Sequence, residues 1–321
     1  MTAFPDLQTR LDRREVIILD GAMGTELQRR GAPMHSFAWS AAALDTHRDA
    51  VPAAHEDYIR AGADVIITNS FSTARHVLEP AGLGDRVRGV NQRAVGLAQT
   101  ARENAAAGRP VAIAGWLSSF RADATPAEQS EASYRDQADL LAEAGVDLIA
   151  LEMMSNVERA TPAIRAGRAS GLPMWIGFSC RVPGDGAVQL LDGSPFSAGL
   201  TQTLDSLADL PVDTMAVTEM HTLTEESAPA LDIVRKHWSG PTGVYAHSGR
   251  WIDPNWQFDH MISPEDYLSC ARQWVEMGAQ IIGGGDWRGG SRHCPRPQLA
   301  AQRPPDARRL RTHAQGPVTL P

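Results

Sequence analysis

The chain has 321 residues, 43% of them hydrophobic and 21% charged, which is the balance of an ordinary globular protein. A formal net charge of −8, with no basic stripe in the first 284 residues, argues against a nucleic-acid partner. The sequence has no apolar run long enough for a membrane-spanning helix, and its first residues lack the apolar core of a signal peptide. Three scattered cysteines do not suggest a disulfide framework. We therefore expect a cytoplasmic protein that binds neither nucleic acid nor membrane. The sequence does not indicate its oligomeric state.

Eight short apolar runs recur along the chain, each followed by a stretch of helical character. Most of these runs are apolar nearly throughout, as expected of parallel strands that are buried on both faces. The predicted strands are residues 16–19, 64–68, 111–115, 147–151, 174–180, 214–217, 243–246 and 280–282.

The segments between the runs suit helices, most clearly residues 92–107, 131–144 and 225–238 and a helix that opens at Ser263 and runs to about Met277. Ser263 is a typical N-cap residue, and a proline and two acidic residues follow it in the first turn. A glycine precedes three of the predicted strands, where it fits the left-handed residue that ends a helix. These glycines are Gly62, Gly145 and Gly278.

Eight alternating strand and helix units within about 280 residues predict an α/β fold, the (β/α)₈ or TIM barrel. A doubly wound open sheet is the structural alternative. No linker-like stretch interrupts the chain before residue 284, so we predict one barrel domain over residues 1–284.

Residues 285–321 differ in character from the rest of the chain. Residues 286–321 hold seven arginines and six prolines, so they do not readily supply the eighth helix that a barrel requires, and that helix is missing or altered. Two hypotheses account for this tail: a shifted reading frame in a GC-rich gene, or a genuine disordered extension.

Several polar residues follow the predicted strands, at the end where barrels place their catalytic groups. Asp20 and Gly21 end the first strand, Asn69 follows the second, Glu152 ends the fourth and Ser179 lies at the end of the fifth. A glutamate directly after an apolar strand is an unexpected core residue, so Glu152 is a candidate functional carboxylate. The alternative for Asp20 is an N-cap role.

Two histidines and an aspartate follow the last three strands. His221 and His247 lie after the sixth and seventh strands, and Asp286 follows the glycines after the eighth. Two histidines at adjacent strand ends would face each other at the mouth of the barrel. The alternative is a pair of independently hydrogen-bonded histidines.

In order, these segments resemble the homocysteine S-methyltransferase family, which includes betaine–homocysteine methyltransferase and the homocysteine-binding module of cobalamin-dependent methionine synthase. The resemblance covers about residues 14–284 and is carried by four phrases of the sequence. These phrases are Asp-Gly-Ala-Met-Gly-Thr-Glu-Leu at 20–27, the segment 63–71, the segment 145–152 and Val-Tyr-Ala-His-Ser-Gly at 244–249.

The resemblance implies a barrel enzyme that moves a methyl group onto the thiol of homocysteine, forming methionine. Asp20 and Glu152 would bind the substrate ammonium group, with Gly21, Asn69 and Ser179 also contacting the substrate. The donor varies among relatives and would be of the S-methylmethionine, S-adenosylmethionine or betaine type.

The resemblance also implies Zn²⁺, held by one cysteine after strand six and an adjacent pair after strand eight. Here the match fails, because His221 stands at the first position and Gly285 and Asp286 stand at the other two. Either zinc is held instead by His221, His247 and Asp286, or it is lost and the thiol is activated in another way. Both interpretations stay open on the sequence.

Two other functions fit the same residues. A metal-dependent hydrolase would use His221, His247 and Asp286 to activate water, although the usual His-x-His after strand one is replaced by Asp20-Gly21. A non-catalytic family member that has lost zinc would bind an amino acid without turning it over.

Overall fold

A computed structural model describes residues 3–122, 125–207, 215–252, 255–257 and 262–284, with the backbone alone at 215, 250–252 and 255–257. Eight parallel strands close into a barrel within these residues, and β1 pairs with β12 to complete it. The strands are β1 (Ile17–Gly21), β2 (Val65–Ile67), β3 (Ala112–Ser118), β4 (Leu148–Met154), β5 (Met174–Phe178), β8 (Met215–Leu223), β9 (Thr242–His247) and β12 (Ile281–Gly284). The predicted (β/α)₈ barrel is confirmed, and the open sheet is wrong.

Two short hairpins extend from the carboxyl ends of the barrel strands. β6 (Cys180–Arg181) pairs with β7 (Gln189–Leu190) after β5, and β10 (Arg250–Ile252) pairs with β11 (Asn255–Gln257) after β9. The predicted fifth strand was therefore too long, because β5 ends at Phe178 and Cys180 already belongs to a hairpin.

Helices surround the barrel, and none among the described residues is long and apolar enough to cross a membrane. The helices are α1 (Phe4–Asp12), α2 (Met23–Arg29), α3 (Ala43–Thr46), α4 (Ala50–Ala61), α5 (Arg75–Leu78), α6 (Val87–Ala105), α7 (Ala127–Glu143), α8 (Val157–Ala169), α9 (Phe196–Asp205), α10 (Ser227–His237) and α11 (Pro264–Glu276). Short 3₁₀ turns cover Ser40–Ala42 and Gly84–Arg86. The predicted eighth helix position and tail lie outside the described residues.

The local signals for helix ends have the predicted geometry. The side chain of Ser263 accepts a hydrogen bond from the backbone N–H of Asp266, so Ser263 is the N-cap of α11. Gly62, Gly145 and Gly278 have φ angles of 115°, 91° and 110°, a left-handed conformation that glycine adopts without steric cost. Each glycine turns a helix into the following barrel strand.

Side chains from alternate strand positions fill the barrel interior, and α1 closes its amino end. Ile17, Trp116 and Tyr245 belong to one buried cluster with Leu7 and Leu11 of α1. This cluster fills the barrel interior near the amino ends of the strands. Among the described residues, the open space inside the barrel therefore lies toward the carboxyl ends of the strands.

The residue two positions after each capping glycine ties α1 to the barrel. The Asp147 carboxylate accepts hydrogen bonds from the backbone N–H groups of Ala3 and Ile113. Asp64 pairs with Arg10 of α1, and Gln280 donates to the carbonyl of Leu11. The repeated phrase before the strands therefore ends each helix and also anchors the plug at the amino end.

Candidate active site

A cavity of about 1040 Å³ opens at the carboxyl ends of the strands, where barrel enzymes carry their active sites. Small-molecule sites span about 300–1,000 Å³, so this cavity has room for an acceptor and a donor together. Residues at the ends of different strands line it, including Gly21, Asn69, Glu152, Cys180, His221 and His247.

The side chains of Glu152 and His221 meet in the cavity. Glu152 lies in β4 and is 7% exposed, and His221 lies in β8, two strands away around the barrel. Nε2 of His221 and Oε1 of Glu152 form a hydrogen bond, in which the ring nitrogen donates when the carboxylate is ionised. The sequence singled out both residues but did not predict that they meet.

The backbone is strained on both sides of this contact. Met153, directly after Glu152, has a φ of 59°, and His221 has a φ of 50°, a region that costs non-glycine residues about 1–3 kcal/mol. Two more cavity residues, Trp39 and Arg121, have φ values of 44° and 57°. Four of the six described non-glycine residues with positive φ line this cavity, and strain of this kind is common where side-chain placement matters.

Aromatic rings enclose the His221 imidazole. The ring of His247 lies 5.7 Å away, centroid to centroid and nearly perpendicular, and the rings of Tyr245 and Phe71 lie 6.3 and 6.4 Å away. Burial, and secondly the neighbouring His221, lower the pKa of His247 to about 3, so this imidazole is neutral at physiological pH. The two predicted histidines therefore lie side by side.

Comparison with known proteins identifies the family. The family model for homocysteine S-methyltransferase matches residues 17–285. The chain belongs to the homocysteine S-methyltransferase family. It is 30% identical to homocysteine S-methyltransferase YbgG of Bacillus subtilis over 302 residues, covering 87% of this chain and 92% of that protein. Homocysteine S-methyltransferase of Escherichia coli is also 30% identical, over 87% of this chain and 93% of that protein.

A solved structure shows the same likeness. The metallated form of the homocysteine methyltransferase MmuM from Escherichia coli superposes with a TM-score of 0.73 and 26% identity, covering 90% of this chain and 97% of that chain. The predicted family and the predicted class of enzyme, a methyltransferase, are confirmed. That relative was solved in a metallated form.

Asp20 lies behind the cavity wall and not on its surface. It is 2% exposed, its Oδ2 accepts a hydrogen bond of 2.9 Å from the backbone N–H of Ile67, and it does not line the cavity. Burial, and then the charge of Glu152, raise the pKa of Asp20 well above its ordinary value. The two carboxylates are therefore near enough to interact, but only Glu152 is placed to touch a ligand directly.

Gly21 lines the cavity and also packs closely against Tyr58, a contact that the sequence did not reveal. A Cβ atom at this position would lie 2.8 Å from the hydroxyl oxygen of Tyr58 on α4. That separation is shorter than real Cβ contacts, so a Cβ atom at this position would require the Tyr58 ring to shift. The prediction that the Gly21 backbone approaches a substrate stays open.

Asn69 and Ser179 differ in position. Asn69 lines the cavity, but its amide is occupied by Ser40, from whose hydroxyl it accepts at 2.7 Å and to whose carbonyl it donates at 3.1 Å. Ser179 is fully buried and is not among the residues that line the cavity. Asn69 therefore fixes the wall segment around Ser40, and direct substrate contact by either residue stays a prediction.

The described residues do not complete a metal site. No group of three His, Cys, Asp or Glu side chains within them is placed to hold a metal ion, and Nε2 of His221 is already bonded to Glu152. Both free cysteines of this part of the chain fall outside the predicted ligand positions: Cys180 begins β6 and Cys270 lies on α11. The third predicted ligand, Asp286, lies outside the described residues.

One part of the rim was missed by the sequence analysis. Arg121 donates hydrogen bonds to the carbonyl oxygens of Ser36 and Phe37, and its guanidinium lies 4.1 Å from the centroid of the Phe37 ring. It thereby joins the loop after β3 to the loop that follows α2. Its position just beyond the third strand is the signal that could have identified it, because polar residues at strand ends face the mouth of the barrel.

Proposed function

We propose that this protein transfers a methyl group from a small donor to the thiol of homocysteine, forming methionine. The observation that carries the proposal is the family match over almost the whole barrel, joined to a cavity with an acidic group where an ammonium can bind. The donor class is that expected from the sequence: S-methylmethionine, S-adenosylmethionine or betaine type. A metal-dependent hydrolase is disfavoured because the relatives are methyltransferases.

Glu152 supplies the surface carboxylate for the ammonium group of homocysteine. It is nearly buried at the cavity wall, where an ionic hydrogen bond is stronger than in bulk water. Asp20 acts as the second carboxylate from behind the wall, where its Oδ1 has no protein hydrogen-bond partner among the described residues. A cation held at Glu152 would relieve the mutual repulsion of the two groups.

The reaction requires a thiolate at the sulfur end of the substrate. A free alkyl thiol has a pKa of about 8.5, so only a few per cent is ionised at pH 7. The thiolate attacks the methyl carbon of the donor, the new S–C bond forms as the old bond breaks, and the donor leaves with the bonding electron pair. A cavity of this size can hold both molecules at once, so the entropic cost of bringing them together is met on binding, before the methyl transfer.

Zinc on His221, His247 and Asp286 stays a prediction. A bound zinc ion would supply deprotonation of the thiol. Support for a nitrogen site is the neutral imidazole of His247 beside His221. Elemental analysis of the purified full chain tests it: about one zinc per chain, lost in His247→Ala, supports the site, and a zinc-free protein that still forms methionine excludes it.

The function itself is tested by methionine formation. Purified protein is incubated with homocysteine and each of the three donor types, and methionine is quantified by mass spectrometry. Methionine formed with one donor, and formed about 10- to 100-fold less efficiently by Glu152→Gln, is the expected result. No methionine with any donor, while the purified MmuM protein forms it under the same conditions, would contradict the proposal.

A further inference from the structure

His221 lies at the position where the family resemblance implies a cysteine ligand for zinc. Its Nε2 is instead hydrogen-bonded to the carboxylate of Glu152. We propose that His221 is a positioning residue for the amino end of the substrate: it holds Glu152 in the orientation that receives the ammonium group. The proposal rests on the proposed function, because it takes the ammonium of homocysteine to Glu152.

The carboxylate has capacity for both partners. An ionised carboxylate has two oxygens that together accept about four hydrogen bonds, so the ring N–H and an ammonium N–H can bind it at once. A glutamate side chain without the ring contact would sample several rotamers at the cavity wall, and ordering it would weaken substrate binding. His221 removes that cost before the substrate arrives.

His221 is itself held firmly, as a support must be. Its backbone is in the left-handed region, which histidine tolerates better than most non-glycine residues, and β8 shifts register beside it. Its ring is packed among His247, Tyr245 and Phe71. The strain at this point therefore aims the imidazole across β5 at Glu152.

A histidine at position 221 can support the Glu152 carboxylate in a way that a cysteine cannot. A thiolate has no proton to donate, so a cysteine ligand could not support the carboxylate, whereas an imidazole N–H can. Because Nε2 donates to Glu152, the imidazole acts at the amino end of the substrate, and a zinc ion at His221 would have to be bound through Nδ1.

The test compares homocysteine with 4-mercaptobutyrate, which has the same thiol and carboxylate but no amino group. The ratio of kcat/KM for the two thiols measures what the ammonium subsite contributes. In His221→Phe we expect that ratio to fall roughly tenfold, the size of one charge-assisted hydrogen bond. His221→Gln, whose amide N–H reaches to a similar distance, should restore most of it.

Matched variants separate positioning from other roles. His237→Gln alters an exposed imidazole on α10 that does not line the cavity, so its ratio should equal that of the unaltered protein. Glu152→Gln should lower the ratio, and adding His221→Phe to it should lower the ratio no further, since coupled residues are not additive. The same ratio of dissociation constants, measured by calorimetry, serves where a variant binds but does not turn over.

The outcomes distinguish the positioning role of His221 from the ammonium subsite at Glu152. An unchanged ratio in His221→Phe, with a lowered ratio in Glu152→Gln, overturns the positioning role and leaves the proposed function intact. An unchanged ratio in Glu152→Gln overturns the ammonium subsite and the positioning role with it. Circular dichroism and thermal unfolding confirm that the variants compared are folded.

Discussion

Glu152 has the clearest chemical role of any single residue in the cavity. It is a carboxylate at a strand end, nearly buried, and supported by a ring nitrogen on a strained backbone. Asp20, singled out by the same reasoning, has a different environment because its side chain bonds the backbone of Ile67 behind the wall. Two carboxylates that look alike in the sequence should therefore contribute unequally.

We expect Glu152→Gln to lower kcat/KM for homocysteine by about 10- to 100-fold, because a hydrogen bond to a charged group is worth roughly 1.5–3 kcal/mol. Asp20→Asn should lower it less than tenfold, since its pKa is raised and Asn keeps the shape and the bond to Ile67. Steady-state kinetics on the two variants check this order. An equal or larger loss in Asp20→Asn would mean that Asp20 contacts the substrate.

The glycine at position 21 is expected to be required for stability. Gly21→Ala should lower the free energy of unfolding by about 1–3 kcal/mol, because its Cβ would overlap the Tyr58 ring. The matched control is Gly89→Ala on α6, where a Cβ meets nothing within 4 Å and where alanine favours the helix. Urea denaturation measures both; a Gly21→Ala protein as stable as the control would show that Tyr58 yields.

At the scale of elements, α1 is part of the barrel. Its apolar residues Leu7 and Leu11 are buried in the interior cluster, and three separate strand starts hold it by polar contacts. The aspartates before β2 and β4 also accept hydrogen bonds from neighbouring strands, at Ile18 and Ile113. The same carboxylates therefore set strand register and close the amino end.

Removal of one of these carboxylates should destabilise the whole barrel. In Asp147→Ala we expect a loss of about 3 kcal/mol in the free energy of unfolding, because the buried N–H of Ile113, the partly buried N–H of Ala3 and the charge of Arg102 lose their acceptor. The control is Asp232→Ala on α10, an exposed pair with Lys236 whose loss should change stability by no more than about 0.5 kcal/mol. Urea denaturation measures the free energy of unfolding of both variants. Equal losses in the two variants would contradict the anchoring role of Asp147.

At the scale of the whole molecule, closure of the barrel puts ionisable groups in an apolar layer between strands and helices. His55 on α4 is completely buried, and burial lowers its pKa to about 3. Its Nδ1 lies 3.9 Å from Oδ2 of Asp20, too far for a hydrogen bond. Folding therefore requires the neutral form of this imidazole.

The stability of the protein should depend on pH through this group. The pKa of His55 is about 6.5 in the unfolded chain and about 3 in the folded one, so its stabilising contribution is full above pH 6.5 and is lost as the pH falls toward 3. His55→Gln lacks this titration. We expect the free energy of unfolding of the variant, minus that of the unaltered protein, to rise as the pH falls, by at most about 1.4 kcal/mol per pH unit. A difference that is flat from pH 7 to pH 4, measured by urea denaturation, would contradict it.

Periodicity and local chemistry were sufficient for the architecture of this protein. Apolar runs marked all eight strands, and capping residues such as Ser263 and Gly62 marked where helices begin and end, because these preferences act between near neighbours in the chain. Ordered phrases at the strand ends carried the family. The residues that follow the strands could be named in advance, since a barrel brings all carboxyl ends to one mouth.

Contacts between distant strands were decided only by the tertiary structure. The hydrogen bond between Glu152 and His221 joins residues 69 positions apart, and the direction in which Asp20 points depends on the pleat and register of β1. Local sequence preferences predict neither the hydrogen bond nor the direction of the Asp20 side chain, because a one-residue change of register turns a side chain to the other face of the sheet. The sequence thus determined which groups reach the mouth of the barrel, and closure of the sheet decided which of them touch.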